Sequence, residues 1–218
     1  MRDVRKNQEY FSSYLDYQYS RVEKKTGKFK ESSGEKKQRI LTSLTGYETD
    51  LLKAEFSAGA SKEDLKVLLI RAIEIASEYK SITYEDFLVL LSMAIILEVE
   101  KEAVKLLDAN KEIVETDRLI NFLASYIRDG KAEWDEKLTL KKEYSNINDV
   151  FLASNKIEAM SSYLDSWYTK HLGFAWYDSH LKDTDTYNGY WSFESAAVTK
   201  ILGLNDEKIE ESEYYPVL

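Results

Sequence analysis

The chain has 218 residues, 44% of them hydrophobic, with eight glycines, one proline and no cysteine. So few glycines and prolines cannot serve the many tight turns of a sandwich or barrel, and the missing cysteines exclude disulfides, thiolate metal sites and cysteine nucleophiles. A net charge of -9 disfavours direct binding to nucleic-acid phosphates and favours a basic protein partner.

The first 39 residues carry 11 Lys+Arg against 6 Asp+Glu. Tyr10, Phe11, Tyr14 and Tyr17 recur at helical spacing, which predicts an amphipathic helix over 4–25. No apolar run here suits a signal peptide, so a cytoplasmic protein is expected. A break is expected from Thr26-Gly27 to Ser33-Gly34, then a helix over 35–56. Ser61 and Thr83 each stand three residues before an acid, a start signal for two further helices. The second holds the greasiest stretch, Phe87–Leu97. It is about half the ~20 residues that cross a bilayer, so it reads as a buried core helix and no membrane partner is expected. Shorter helices follow over 101–107 and 116–128, and Asp129-Gly130 ends this half.

Residues 131–153 are less periodic and mark the expected junction between two helical domains, 1–130 and 131–218. Beyond it, Ser154 can cap a helix carrying Met160, Tyr163, Leu164 and Trp167. A short helix is expected around Phe174, Ala175 and Trp176, a loop over 180–189, and a helix over 192–202 with Gly203 at its end. The fold class is therefore all-α: about eight to ten helices packed as antiparallel hairpins, without significant sheet.

Few residues suit catalysis. His180 stands among Asp178, Asp183 and Asp185, a set that a metal-dependent hydrolase could use. Yet there is no HExxH pair, and the Asp-x-Asp pair lacks the glycine and closing glutamate of a calcium loop. Phosphate-binding glycine patterns and a serine nucleophile elbow are absent too. No catalytic residue, metal ligand or cofactor is assigned. From Gly173 to Leu218 nine acids face three lysines, a surface suited to a basic partner.

The stretch Tyr187-Asn188-Gly189-Tyr190-Trp191-Ser192-Phe193-Glu194 precedes a helix on which Phe193, Ala196, Ala197 and Ile201 share one side. Glu194 points toward that apolar side. It needs a tyrosine hydroxyl, a cation or helix-start N–H groups as partner, and reads as a structural carboxylate. Asn188-Gly189 is a turn signal.

These residues carry a resemblance. Trp176-Tyr177-Asp178-Ser179-His180, the stretch from Tyr187 through Ala197, Ile201-x-Gly203-Leu204-Asn205-Asp206 and Tyr214-Tyr215-Pro216 resemble the C-terminal domain of PoNi-type bacterial immunity proteins. Met1-Arg2-Asp3, Tyr10-Phe11 and Lys53–Gly59 resemble the companion N-terminal domain. The resemblance implies a non-enzymatic α-helical protein that binds and blocks a PoNe-type DNase toxin in the cytoplasm, protecting its bacterium during competition. Tyr187, Gly189, Trp191, Phe193 and Glu194 form the structural signature. Asp178, Asp183, Asp185 and Tyr187 are expected, from charge and exposure, to contact the toxin. A scaffold for some other protein is the alternative reading.

Overall fold

Asn7 ends an extended N-terminal segment. Its side chain accepts a hydrogen bond from the Tyr10 N–H and caps the first helix, α1 (Gln8–Lys30). In the computed structural model, which describes residues 1–78, 82–204 and 207–218, helix therefore begins later than residue 4 because residues 1–6 have other partners. The N–H groups of Arg2 and Asp3 donate to the carbonyl of Ser57. The Arg2 guanidinium donates to the carbonyls of Phe56 and Ala60 and lies 4.7 Å above the Phe56 ring. A cation is thus seated on the carbonyl end of the second helix, α2 (Gly34–Ala58), where it is favoured. Gly59 makes this approach possible. Its φ is +97°, and a Cβ there would lie 2.8 Å from the backbone nitrogen of Met1.

Two compact units emerge, and the chain first passes from one to the other at residues 90–91, within the helix α4 (Tyr84–Leu97). The first comprises residues 1–90 and 178–189. In it α1 packs on α2, and α2 on α3 (Lys62–Ser77). Phe11, Tyr14, Gln18 and Val22 form the buried stripe of α1. Leu65, Leu68, Leu69, Ala72, Ile73 and Ala76 form that of α3, at the three-four spacing read from the sequence. Both start signals operate as expected: Ser61 accepts from the N–H of Asp64 and Thr83 from that of Asp86. The break after α1 is shorter than expected, covering only residues 31–33. Helix runs through Gly27, since a lone glycine weakens a helix without ending it.

The second unit comprises residues 91–177 and 190–218. It receives the end of α4 (Tyr84–Leu97) and contains α5 (Glu100–Ala109), α6 (Lys111–Thr116), α7 (Arg118–Asp129), α8 (Ile147–Leu152), α9 (Lys156–Lys170), α10 (Phe193–Leu202) and α11 (Glu207–Glu210). α5 and α6 pack on α7, α8 and α11 on α9, and α10 touches both α7 and α9. Gly130 and Gly203 close their helices in the left-handed region, as their positions predicted. Asn155, not Ser154, caps α9 by accepting from Glu158 N–H. The short helix expected around Phe174 is instead a run of turns.

The described residues contain eleven α-helices and no strand, only one isolated bridge between Asp117 and Thr139. The excess over the expected number comes from short pieces such as α6 and α11, too brief for periodicity to register. Residues 131–141 contain no helix, and a side chain satisfies part of their backbone. Arg118 donates to the carbonyls of Glu136 and Leu138 and to the side-chain oxygen of Asn148. Trp134 donates to the same Asn148 oxygen and stacks on Phe151 at 3.8 Å.

Candidate functional site

The signature stretch is divided between the units. Residues 187–189 pack in the first and 190–194 in the second. In the second unit Glu194 is buried and surrounded by neutral donors. The Tyr163 hydroxyl, the Trp167 indole N–H and the Ser192 hydroxyl all donate to its Oε1, at 2.7, 2.7 and 2.6 Å. Three donors converging on one oxygen can hold a carboxylate out of water. They also bind the first turn of α10 to the inner face of α9. Burial and the neighbouring Glu194 push the Tyr163 phenol well above its ordinary pKa. The buried position expected from its place on the helix thus comes with the kind of partner it needs, a tyrosine hydroxyl among them.

An aromatic layer lies beside it. Trp167 stacks with Trp176 at 5.5 Å and Tyr168 with Tyr214 at 5.4 Å. His171 is buried in this layer, with its Nδ1 2.7 Å from the Trp167 carbonyl and its ring edge-on to Tyr144 and Phe174. Tyr190 and Phe193 are also buried, while Trp191 is half-buried.

In the first unit Tyr187 is the anchor of the 178–189 segment. Its side chain is 0% exposed, which corrects the expectation of an exposed contact. Its ring packs against Tyr10, Phe11 and His180, and its hydroxyl donates to Asp3. A large ring with one polar tip favours burial once a partner for that tip exists. The Tyr10 hydroxyl donates to the Tyr187 carbonyl and accepts from the Tyr187 N–H, both at 2.9 Å. Asn188 donates to Asp50 at 2.7 Å, and Ser57 to the Asn188 carbonyl at 2.7 Å. Gly189 follows with φ +106°.

Between these anchors the segment carries its charge outward. Asp183 and Asp185 are exposed, and Asp178 is half-buried at a left-handed φ of +56° before a 3-10 turn. These acids and His180 do not assemble a metal site: among the described residues no group of three or more His, Asp or Glu side chains is placed to hold an ion. The hydrolase reading has no geometric basis here. Near the chain's end Glu207, Glu210, Glu211 and Glu213 are exposed in the second unit. Asn205 and Asp206, part of the quoted motif, lie outside the described residues.

The fold and the signature define an all-helical domain built around a buried carboxylate and an aromatic layer. Residues 115–217 match the model of PoNe immunity proteins (PoNi), C-terminal. Over those residues the chain is thus similar to the C-terminal domain of the PoNi immunity proteins, a family of inhibitors and not of enzymes. The match begins at residue 115 and leaves the N-terminal residues uncovered. Among solved structures, the chain is similar to that of protein PA2201 from Pseudomonas aeruginosa, with 16% identity and a TM-score of 0.71 over 92% of this chain and 84% of that one. At that identity the likeness concerns the fold alone. No curated protein sequence matches the chain. No described helix is long and apolar enough to cross a membrane.

Proposed function

We propose that this chain is an immunity protein that binds and neutralises a cognate PoNe-type DNase toxin in the cytoplasm of the cell it protects. The observation that carries this reading is the PoNi match over residues 115–217, which includes the whole signature stretch. On this reading residues 1–130 form the companion N-terminal domain of the family and 131–218 the C-terminal one. The partner is a basic protein, because a nuclease must hold DNA phosphates. Asp183 and Asp185 are its proposed contacts, with Asp178 at the base of the loop and Tyr187 holding that loop in place. Exposed acids on an anchored loop accelerate encounter with a basic surface and compete with DNA for it.

Coexpression tests this reading. Cells producing the cognate toxin domain are expected to survive when this chain is present and to die without it. Purified toxin and chain are expected to form a complex whose association slows as salt rises. Death of the coexpressing cells overturns the reading; a complex with salt-independent association overturns only the electrostatic part.

A further inference from the structure

The turns that follow α9 in the second unit have a composition unlike that of a solvated turn. Exposed turns draw on Gly, Asn, Asp and Ser, yet Leu172-Gly173-Phe174-Ala175-Trp176-Tyr177 holds one glycine and no charged residue. Leu172 is 74% exposed and Ala175 is exposed too, while Phe174, Trp176 and Tyr177 are each half-buried. These three rings join two more that are half-buried, Tyr168 on α9 and Tyr214 after α11. Tyr168 stacks with Tyr177 at 4.4 Å and with Tyr214 at 5.4 Å. Trp176 lies 6.3 Å from Tyr168 and 5.7 Å from Phe174, so the five rings form one continuous array.

The array rests on a fixed floor. Trp167 and His171 are buried and lie 5.5 and 5.4 Å from Trp176, and Trp167 is tied to Glu194 by its indole N–H. Large rings that meet water in part leave burial for a partner to complete, and a contiguous apolar surface of this kind marks an interaction site. The charge beside the rings is negative. Glu213 directly precedes Tyr214, and α11 packs on α9. Residues 207–218 hold Glu207, Glu210, Glu211 and Glu213, all exposed, against Lys208. That lysine lies 3.7 Å from Glu158. On α9 the exposed Asp165 and Lys170 balance each other.

We propose that this array docks arginine side chains of a basic protein partner. A guanidinium lies flat on a tyrosine or tryptophan face and keeps its N–H donors for carboxylates at the edge. Ring faces beside an excess of glutamates supply both halves of that recognition. The first unit makes the same pairing internally, with the Arg21 guanidinium 3.7 Å from the centre of the Tyr47 ring. Nucleobases stack on tyrosines as well, but the glutamates repel the phosphates that come with them. That the partner is the toxin rests on the immunity function proposed above; the preference of the rings for arginine does not.

The test uses the full chain and two fluorescein-labelled decapeptides, one alternating arginine and glycine and the other lysine and glycine. Acids alone hold both alike, so the ratio of their affinities reads the rings. Fluorescence anisotropy is expected to show the arginine peptide bound several-fold more tightly, in the range of an exposed cation–π contact. Tyr177→Ala should bring the ratio close to one, and Tyr177→Phe, which keeps the ring, should preserve it. Acrylamide quenching reads the same site without disturbing the stack. The arginine peptide should protect the unaltered chain, and Trp176→Phe should abolish that protection. Equal affinities in the unaltered chain, a ratio that survives Tyr177→Ala, unchanged quenching, or tighter binding of an oligothymidine each overturn the proposal. With the cognate toxin, Tyr177→Ala should speed dissociation about ten-fold, as an interface hot spot does. A toxin that binds the unaltered and Tyr177→Ala chains alike overturns the role of these rings and leaves the immunity function standing. A toxin that binds neither, where the arginine peptide still binds through Tyr177, overturns the immunity function and supports the rings.

Discussion

Two buried carboxylates organise the two units, and they are satisfied in different ways. Asp3, in the first unit, accepts from the Tyr187 hydroxyl and from its near neighbour Arg5, through both the backbone N–H and the guanidinium. Glu194, in the second, accepts from three neutral side chains. Asp3 keeps a cation whatever happens to Tyr187. Around Glu194 there is no cation among the described residues, and all three donors share one acceptor oxygen. The carboxylate in the second unit is therefore the more costly to remove, and the one in the N-terminal segment the more adjustable.

Glu194→Ala is the strongest way to sharpen this contrast. It removes the acceptor that three buried donors share and leaves a cavity, and a stability loss of about 3–5 kcal/mol is expected. Glu194→Gln retains an oxygen at the same position and should cost about 1–2 kcal/mol. Urea unfolding of both variants measures the difference. Equal losses would mean that the negative charge, and not the convergence of bonds, is what matters.

Alkaline unfolding probes both sites together. Burial raises the pKa of Tyr163 and of Tyr187, with the adjacent carboxylate adding to the effect at each. Below pH ~10 both folded and unfolded chains keep these protons, and the stability is fully present. Above it the unfolded chain releases them while the folded chain does not, so stability falls as pH rises. The expected slope is up to about 1.4 kcal/mol per pH unit for each such tyrosine. Unfolding measured between pH 9 and 11 should show it, and the slope should shrink in Tyr187→Phe.

At neutral pH, Tyr187→Phe is expected to cost only about 1–2 kcal/mol, because Asp3 retains Arg5. Its clearer signature is local. Hydrogen exchange should quicken in the 178–189 segment and stay unchanged in α9 and α10. Faster exchange in those helices instead would erase the distinction between the two carboxylates.

How much of this was legible in the sequence depended on distance along the chain. Ser61 and Thr83 announced their helices because a cap acts over three residues, and Gly130 and Gly203 closed theirs for the same local reason. Glu194 was placed on the apolar side of its helix by periodicity alone. Its partners Tyr163 and Trp167 were not, since they lie a helix away with nothing in spacing to join them. Tyr187 was misplaced on the surface for the same cause: Asp3 stands 184 residues earlier. A tyrosine beside two exposed aspartates looks exposed until that partner is known. The expected division at residue 130 rests on a loss of periodicity and concerns proposed family domains. The compact units are a separate matter: they change over within α4, and the 178–189 segment joins the first of them. That return is a tertiary choice that no local pattern records.

The smallest expected effect on stability belongs to the acids that the toxin reading uses. Asp183 and Asp185 are exposed, and neither forms an ion pair among the described residues. Replacing both with asparagine should change stability by less than about 0.5 kcal/mol. On that reading they act on the encounter, where an exposed charge works through the long-range field and is screened by salt. Association with the cognate toxin is expected to slow several-fold at low salt and hardly at all at high salt, with dissociation little changed. Stopped-flow kinetics at two salt concentrations separates these terms. A faster dissociation with unchanged association would make the two aspartates close contacts within the complex; no change in either rate would place the toxin on another surface.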